Sequence, residues 1–392
     1  MKIKSFFQDV LGSTKVTKRR KDAIKRASSI PDGKDPITDC ARSLHPGKIQ
    51  VQVVGIRDSS LFSKTITFSS FGGHIPLFKA GQYMTLEFDI GTSHMTRTYT
   101  ISSAPYQTRG DHPIVEITVK KKENGLTSLK LYDEAKVGDV FTAEIGLGQF
   151  FYEPLRDSRK LMLLAGGGGV TPFMSMLREI HDGKMDCEAT LLYGSTSEKD
   201  IVLKDELDAL VCDKIKVIHV ISSPSEGYQG EKGFLSCDLI RKYMDGDMTF
   251  FICGPQKMYD FLHKELSSLS IPERRIRYEG YGQPDDISLF DGYPSECRGM
   301  TYRICVRRGI REDVIPAKAD ESLAVALERA GMKIHIGCRS GACGFCRIKV
   351  EEGSYFVLPI NDYRRAADKD FDYVHACSTY PTSDMTIRIN IE

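Results

Sequence analysis

Four cysteines carry the strongest chemical signal in the chain. Three stand in Cys338-Arg-Ser-Gly-Ala-Cys343-Gly-Phe-Cys346, at x4 and x2 spacing, and the fourth is Cys377, far downstream in Val-His-Ala-Cys377-Ser. Thiolates in that pattern match the ligand spacing of a 2Fe–2S cluster. Gly341, Ala342 and Gly344 between them let the backbone wrap closely and aim N–H groups at sulfur. Those hydrogen bonds, with burial, set a cluster's potential. The rival reading is a four-cysteine zinc site. Such sites usually come as two close pairs, and here only Cys343 and Cys346 form a C-x2-C pair. His335 and His375 flank the loop, but four cysteines already complete a ligand set, so both are expected outside it. Arg339 and Arg347 either balance cluster charge or face an acidic partner. A cluster moves one electron at a time, so the chain should also contain an electron source.

Three further stretches could supply it. Gly166-Gly-Gly-Gly-Val-Thr171-Pro172 follows an apolar run and opens an amphipathic one. Glycines there let a dinucleotide backbone approach. Thr171 can cap the helix, Pro172 is tolerated in its first turn, and the free N–H groups face a pyrophosphate. A glycine-rich turn without a ligand is the plainer alternative. Cys253-Gly254-Pro255 ends a later apolar run, where open α/β sheets bind ligands, although a lone cysteine is usually a buried structural one. Arg97-Thr98-Tyr99-Thr100-Ile-Ser102-Ser103 puts an Arg, an aromatic and hydroxyls on one strand and its end. They could hold a phosphate and flank a ring, or be an alternating strand with exposed polar residues.

The elements that must position these groups follow from periodicity. Segments 48–54, 64–68, 83–88, 97–101, 115–119 and 140–145 alternate apolar and polar residues between Gly/Pro/Asp turns, which predicts a small all-β barrel over 47–157. From 158 to 280 the pattern becomes strand–helix alternation. Strands are expected at 161–165, 189–193, 216–221 and 249–253, and helices at 173–180, 204–212, 235–244 and 255–268. This predicts a doubly wound parallel α/β sheet. Residues 281–299 read as a linker of turn formers. The last domain, 300–392, should have a strand at 302–307, a helix capped by Asp320 and running to Ala330, and a closing strand at 385–391.

The chain has 392 residues, 41% hydrophobic and 27% charged, with a net charge of +1. That is ordinary for a soluble globular protein of two or three domains and gives no global case for nucleic acid. Eleven cysteines at irregular spacing suggest a reducing compartment, so Cys40, Cys187, Cys212, Cys237, Cys297 and Cys305 are read as free thiols. No apolar run approaches the ~18 residues of a membrane span. The N-terminus lacks the features of a secretory signal, and the cytoplasm is the expected setting. Residues 1–46 form a basic extension, with seven Lys/Arg from Lys15 to Arg26. It is read as a solvated tail or a helix on its own domain, with docking to an acidic partner or an anionic membrane face as the alternatives. Residues 29–36 are expected to be a loop.

Taken together, 47–392 resembles the ferredoxin–NADP reductase superfamily, in its subgroup with a C-terminal plant-type ferredoxin domain. The motif from Arg97 to Ser103 is similar to that family's flavin motif. The resemblance implies that Arg97 meets the flavin phosphate, Tyr99 packs on the isoalloxazine and Thr100 offers a hydroxyl near N5. Phe78-Lys-Ala-Gly-Gln-Tyr83 and Gly146-Leu-Gly-Gln-Phe150 match other barrel signposts, and Gly125-Leu-Thr-Ser128 resembles the loop holding the rest of the flavin nucleotide. Gly166, Gly167, Gly169, Thr171, Pro172 and Cys253-Gly254-Pro255 resemble the pyridine-nucleotide motifs, with Cys253 against the nicotinamide. Glu279 sits where the family places a carboxylate near the flavin. The C-terminal domain is implied to be an α+β β-grasp fold.

The same resemblance implies FAD, with FMN as the alternative. The segment Tyr193-Gly-Ser-Thr-Ser-Glu-Lys-Asp200 has no Arg for a 2′-phosphate, which favours NADH over NADPH. The implied activity is electron transfer from NADH through flavin and cluster to an external acceptor protein. The acceptor is either an oxygenase or an anaerobic metalloprotein, as in the hybrid-cluster-protein reductases. Two rivals are a non-catalytic flavin and cluster redox sensor and a zinc-stabilised flavoprotein. Phe345 and Arg347 mark the expected docking face.

Overall fold

A computed structural model describes residues 6–27, 36–44, 47–123, 125–279, 286–359 and 362–389. It divides into two compact units, Met1–Pro46 and Gly47–Glu392. In the first, helix α1 (Phe6–Arg26) carries the basic run from Lys15 onward, and α2 (Pro36–Leu44) follows. The loop residues 29–35 lie outside the described residues.

The second unit opens with the antiparallel barrel. Its elements are β1 (Lys48–Ser60), β2 (Ser63–Ser70), β3 (Tyr83–Ile90), β4 (Ser93–Thr100), β5 (Val115–Lys120), a one-turn helix α3 (Leu126–Leu129) and β6 (Val140–Leu147). The strand order is β4-β3-β6-β1-β2-β5. A bridge between Ile101 and Ile117 joins the two edges and closes the barrel. The period-2 pattern explains the interior, because Val51, Val53, Ile66, Phe68, Met84, Leu86 and Ile117 all point inward and are fully buried.

Strand–helix alternation then builds the parallel sheet. It runs β7 (Lys160–Gly166), α4 (Thr171–His181), β8 (Glu188–Ser195), α5 (Lys204–Ala209), β9 (Ile215–Ile221), β10 (Glu231–Lys232), α6 (Cys237–Tyr243), β11 (Met248–Cys253), α7 (Gln256–Ser267) and β12 (Ile276–Glu279). The order β10-β9-β8-β7-β11-β12 reverses direction between β7 and β11. Ala165 lies opposite Cys253 in that pair, so the glycine run and the Cys-Gly-Pro turn leave the sheet side by side at its switch point.

The last layer contains β13 (Thr301–Arg308), β14 (Arg311–Lys318), α8 (Leu323–Arg329), β15 (Arg347–Glu352), β16 (Tyr355–Val357), α9 (Ala366–Asp370), β17 (Tyr373–His375), β18 (Thr379–Pro381) and β19 (Met385–Arg388). A mixed five-stranded sheet, β14-β13-β19-β15-β17, packs one face against α8. The helix cap is Ser322, whose hydroxyl accepts from Val325 N–H, and not Asp320. Residues 390 and 391 of the expected closing strand lie outside the described residues. The expected linker also differs. Residues 281–285 are not described, but Ile287, Phe290 and Tyr293 pack on Phe356, Leu358 and Tyr380 of this domain, with the Tyr293 and Phe356 rings 5.4 Å apart. Turn formers disguised an apolar anchor: much of this stretch is fixed to the domain it precedes.

Barrel and parallel sheet share one seam of alternating charge. Arg57 Nη1 donates to Glu116 Oε1 at 2.5 Å, Arg178 Nη1 donates to Glu116 Oε2 at 3.1 Å, and both arginines also hold Glu206. Burial pushes the Glu116 carboxyl up, but hydrogen bonding and charge from Arg57, with charge from Arg178, outweigh it and hold it below its usual range. A group with a depressed folded value stabilises at neutral pH, and that contribution is lost as pH falls through the folded value. Glu116→Gln should therefore cost about 3 kcal/mol near neutral pH, since it removes the buried one of the two carboxylates that hold Arg57 and Arg178. The gap in Tm between wild type and variant, measured from neutral pH to about pH 3, should narrow as pH falls.

Candidate functional site

The cysteine loop leaves α8 and wraps through three left-handed residues, Arg339, Gly341 and Gly344, with φ of 57°, 75° and 74°. This turns N–H groups inward. Ser340 N and Cys343 N lie 3.4 and 3.3 Å from Cys338 Sγ, Gly341 N lies 3.3 Å from Cys377 Sγ, and Cys377 N lies 3.5 Å from Cys346 Sγ. The thiols approach in two pairs, Cys338 with Cys343 and Cys346 with Cys377. A tetrahedral zinc needs four donors around one point, whereas a two-iron cluster takes two thiolates per iron. The donor set fits the 2Fe–2S cluster.

The groups beside the loop are held internally. His375 Nδ1 lies 2.6 Å from Gly341 O, fixing the loop from behind. The His335 ring stacks on Phe345 at 4.4 Å, and its Nε2 lies 3.5 Å from Glu144 of the barrel. Arg347 pairs with Asp368 at 2.6 Å and lies over the Tyr373 ring, while Arg339 is buried against Glu328. Both arginines thus have intramolecular partners.

Three domains meet at a cavity of about 570 Å³. The barrel supplies Tyr83 and Gly148, the parallel sheet supplies Tyr259 and Glu279, and the loop supplies Cys338 and Cys343. Tyr83 lies opposite Thr100 in the β3–β4 pair, which brings the end of the Arg97–Thr100 strand to this cavity. Glu279 lies opposite Cys253 in the β11–β12 pair. Tyr259 ties them together, since its hydroxyl donates to Glu279 O and accepts from Gly254 N–H at 3.1 Å. Burial pushes the Cys253 thiol well above its usual range, and the Glu279 charge adds to the shift. Cys253 is therefore a neutral, fully buried thiol and not a nucleophile, and it lines neither this cavity nor the next.

A second cavity of about 540 Å³ opens beyond the switch point. Gly166, Gly167 and Pro255 line it, with Asp200, Phe234 and Lys120. The glycine expectation is sharpened at one position. A Cβ on Gly169 would lie 2.2 Å from Cys253 O, so Gly169 keeps the two turns in contact. A side chain on Gly254 would likewise strike the Met258 sulfur. Thr171 does not cap. It is the first residue of α4, after Val170, and its hydroxyl donates back to Gly168 O at 3.2 Å. Pro172 sits buried in the first turn, as expected.

The Arg97 strand is only partly as anticipated. The Tyr99 hydroxyl donates to Thr127 Oγ1 at 3.2 Å, which joins β4 to α3, and Ser128 Oγ turns back to Gly125 O. Ser102 and Ser103 are directed elsewhere. Both are buried, with Ser102 Oγ on Glu116 O and Ser103 Oγ accepting from Glu116 N–H, while Ser175 Oγ donates to Ser103 O. They bind the seam to α4. Arg97 reaches the carboxylate of Glu328.

Comparison with known proteins follows this order of parts. Residues 73–152 match the oxidoreductase FAD-binding domain family, 163–264 the oxidoreductase NAD-binding domain family, and 310–382 the 2Fe-2S iron-sulfur cluster binding domain family. The chain thus carries, in this order, an oxidoreductase FAD-binding domain, an oxidoreductase NAD-binding domain and a 2Fe-2S iron-sulfur cluster binding domain. It is 30% identical over 237 residues to a flavohemoprotein of Xylella fastidiosa, covering 59% of this chain and 58% of that one. It thus spans little more than half the length of that relative. It is 26% identical to the NADH oxidoreductase HCR of Escherichia coli, over 79% of this chain and 88% of that protein. The solved structure of phthalate dioxygenase reductase shares its fold with a TM-score of 0.63 at 19% identity, covering 88% of this chain and 98% of that one.

Several residues of these two cavities were invisible to motif reading. Tyr83, Tyr259 and Lys120 reach the cavities from strands or helices whose patterns read as ordinary. For Tyr83 a signal existed, because it closes the Gly-Gln-Tyr signpost. For Lys120 none did. Replacing Gly169 with Ala should force the β7 and β11 turns apart, lower thermal stability by about 1–3 kcal/mol and weaken NADH binding. Calorimetric titration of the variant with NADH checks both the affinity and the placement of the nucleotide.

Proposed function

We propose that this protein takes a hydride from NADH, passes the electrons through FAD to its 2Fe–2S cluster, and delivers them singly to an acceptor protein. The junction cavity carries the reading, because it is lined at once by the barrel, the end of the parallel sheet and two of the four cluster thiols. A bound flavin accepts two electrons as hydride and releases them one at a time. The chain's own residues bind, orient and exclude water. The domains proposed are a flavin barrel over 47–157, a nucleotide domain over 158–280 and a cluster domain over 300–392 that also takes in the packed part of the expected linker.

In this reading Gly166, Gly167 and Pro255 present backbone to the pyrophosphate, and Lys120 supplies a cation from the barrel side. Asp200 lines the nucleotide cavity, where its charge opposes a 2′-phosphate, in keeping with NADH. Cys253 and Glu279, adjacent in register, close the reacting end of the nicotinamide site. Tyr99, Thr100 and Tyr83 border the flavin, and Cys338 and Cys343 border the exit. The acceptor is a one-electron redox protein. That protein is an oxygenase or an anaerobic metalloprotein, and the monooxygenase reductase components among the relatives support the first. In the described residues no helix is long and apolar enough to cross a membrane. None of the eleven cysteines is in a disulfide, and the seven outside the cluster set are free thiols, which supports a reducing, cytoplasmic setting.

Anaerobic absorbance before and after NADH tests the proposal. Flavin and cluster bands should both bleach. Cys343→Ser should lose the cluster bands and reduction of a one-electron acceptor protein, while NADH still bleaches the flavin. A colourless cysteine domain containing zinc, or acceptor reduction that survives in the variant, would contradict it.

A further inference from the structure

Helix α1 carries charge that the electron relay does not use. From residue 12 to residue 26 the helical period sorts its side chains onto two faces. Lys15, Lys18, Arg19, Lys21, Lys25 and Arg26 share one face, with Asp22 as the only acid among them. All of these cations are exposed. Val16, Ala23 and Ile24, at i, i+7 and i+8, share the other face with small polar residues and Arg20. All three are exposed, Val16 by 54% and Ile24 by 72%. Helix α2 adds a second apolar stripe without the charge. Ile37, Cys40, Ala41 and Leu44 stand at i, i+3, i+4 and i+7 along one side, and all are exposed, Ile37 by 82%.

Apolar stripes held in water cost free energy, so both call for cover. A nucleic acid would take the cations of α1 but has no use for either stripe. A protein groove selects a helix by bulky anchors at i, i+3 or i+4, and i+7. The apolar face of α1 offers only Val16, Ala23 and Ile24, with Arg20 in the gap, which is too shallow for such a groove. A bilayer surface meets every feature. Its anionic headgroups match the cationic face, and its apolar layer lies only a few side-chain atoms deeper. Long Lys and Arg stems can lie along that boundary with their charges in the headgroups. A continuous surface also accepts both helices, whatever the angle between them.

We propose that α1 and α2 form a peripheral docking module for a membrane surface rich in anionic phospholipid, with the α1 cations on the headgroups and the apolar stripes of both helices in the interface. Neither helix crosses the bilayer, since no described helix is long and apolar enough to do so. The two signals act together. Cations alone attach a protein loosely and salt-sensitively, and a short apolar stripe alone attaches it marginally. The proposal is independent of the flavin and cluster reading.

Co-sedimentation tests it. The full chain with its cofactors is spun down with vesicles of phosphatidylcholine alone, and of phosphatidylcholine with phosphatidylglycerol at about three to one. Wild type should sediment with the anionic vesicles and stay in solution with the neutral ones. Raising salt from about 50 to about 500 mM should weaken binding about tenfold or more. The double variant Lys18→Glu, Arg19→Glu should lose binding to the same degree. The double variant Ile37→Ser, Leu44→Ser keeps the charge and should weaken binding about tenfold. Ferricyanide reduction by NADH should be unchanged in both variants. No sedimentation with anionic vesicles, equal sedimentation with neutral ones, or full binding by the Ile37→Ser, Leu44→Ser variant overturns the proposal. Polyglutamate bound as tightly as the anionic vesicles, and equally by that variant, also overturns it and assigns the cations to an acidic polypeptide. The two vesicle types are compared on wild-type protein, so the test stands even where a variant fails to fold.

Discussion

The carboxylate of Glu328, almost wholly buried, fastens the cysteine loop to the barrel through Arg97, Arg339 and Thr96 N–H. Breaking a buried ion pair by removing one partner costs several kcal/mol, so this contact defines where the loop can sit. That position matters because an electron can leave a flavin for a cluster only if the two approach. With the loop on the barrel, Cys338 and Cys343 line the same cavity as Tyr83, which stands opposite Thr100. Secondary contacts support the placement, including His335 against Glu144 and Ser93 Oγ on Arg329 O. The cluster domain is therefore seated, and no long swing of a tether is needed to bring its thiols to the junction.

A second constraint lies on the other side of the barrel. The Arg57–Glu116–Arg178–Glu206 seam and the buried Phe150 ring, 5.2 Å from Phe251 and 5.9 Å from Phe173, bind barrel and parallel sheet into one body. The switch point between β7 and β11 then faces the barrel at a fixed angle. Hydride transfer depends on near-contact geometry, which two independently moving domains could not hold. The two seams bring the barrel, the end of the parallel sheet and the cysteine loop around one cavity.

What could be read from the sequence was local. The cysteine spacing, the inward alternation of the barrel strands and the apolar run before the glycines each report on neighbours a few residues away, and each is found where the pattern put it. What could not be read depends on partners far along the chain. Glu328 lies on an ordinary amphipathic helix, and its meeting with Arg97 spans 231 residues. Ser102 and Ser103 looked like ligand hydroxyls because their partners on β5 and α4 are set by tertiary packing. Thr171 looked like a helix cap because the extra turn formed by residues 167–170 is not encoded by any residue preference. The stretch around Ile287 and Tyr293 looked like a tether because glycine, proline and aspartate outnumber the few apolar residues that anchor it.

The order of the relay is the central claim, and cluster reduction in flavin-free protein tests it most directly. Protein stripped of flavin but retaining its cluster is mixed anaerobically with NADH, and the reduced cluster is detected by electron paramagnetic resonance before and after FAD is restored. The account predicts no cluster signal without FAD and a full signal within one turnover after its addition. A reduced cluster formed by NADH in the absence of flavin would contradict it.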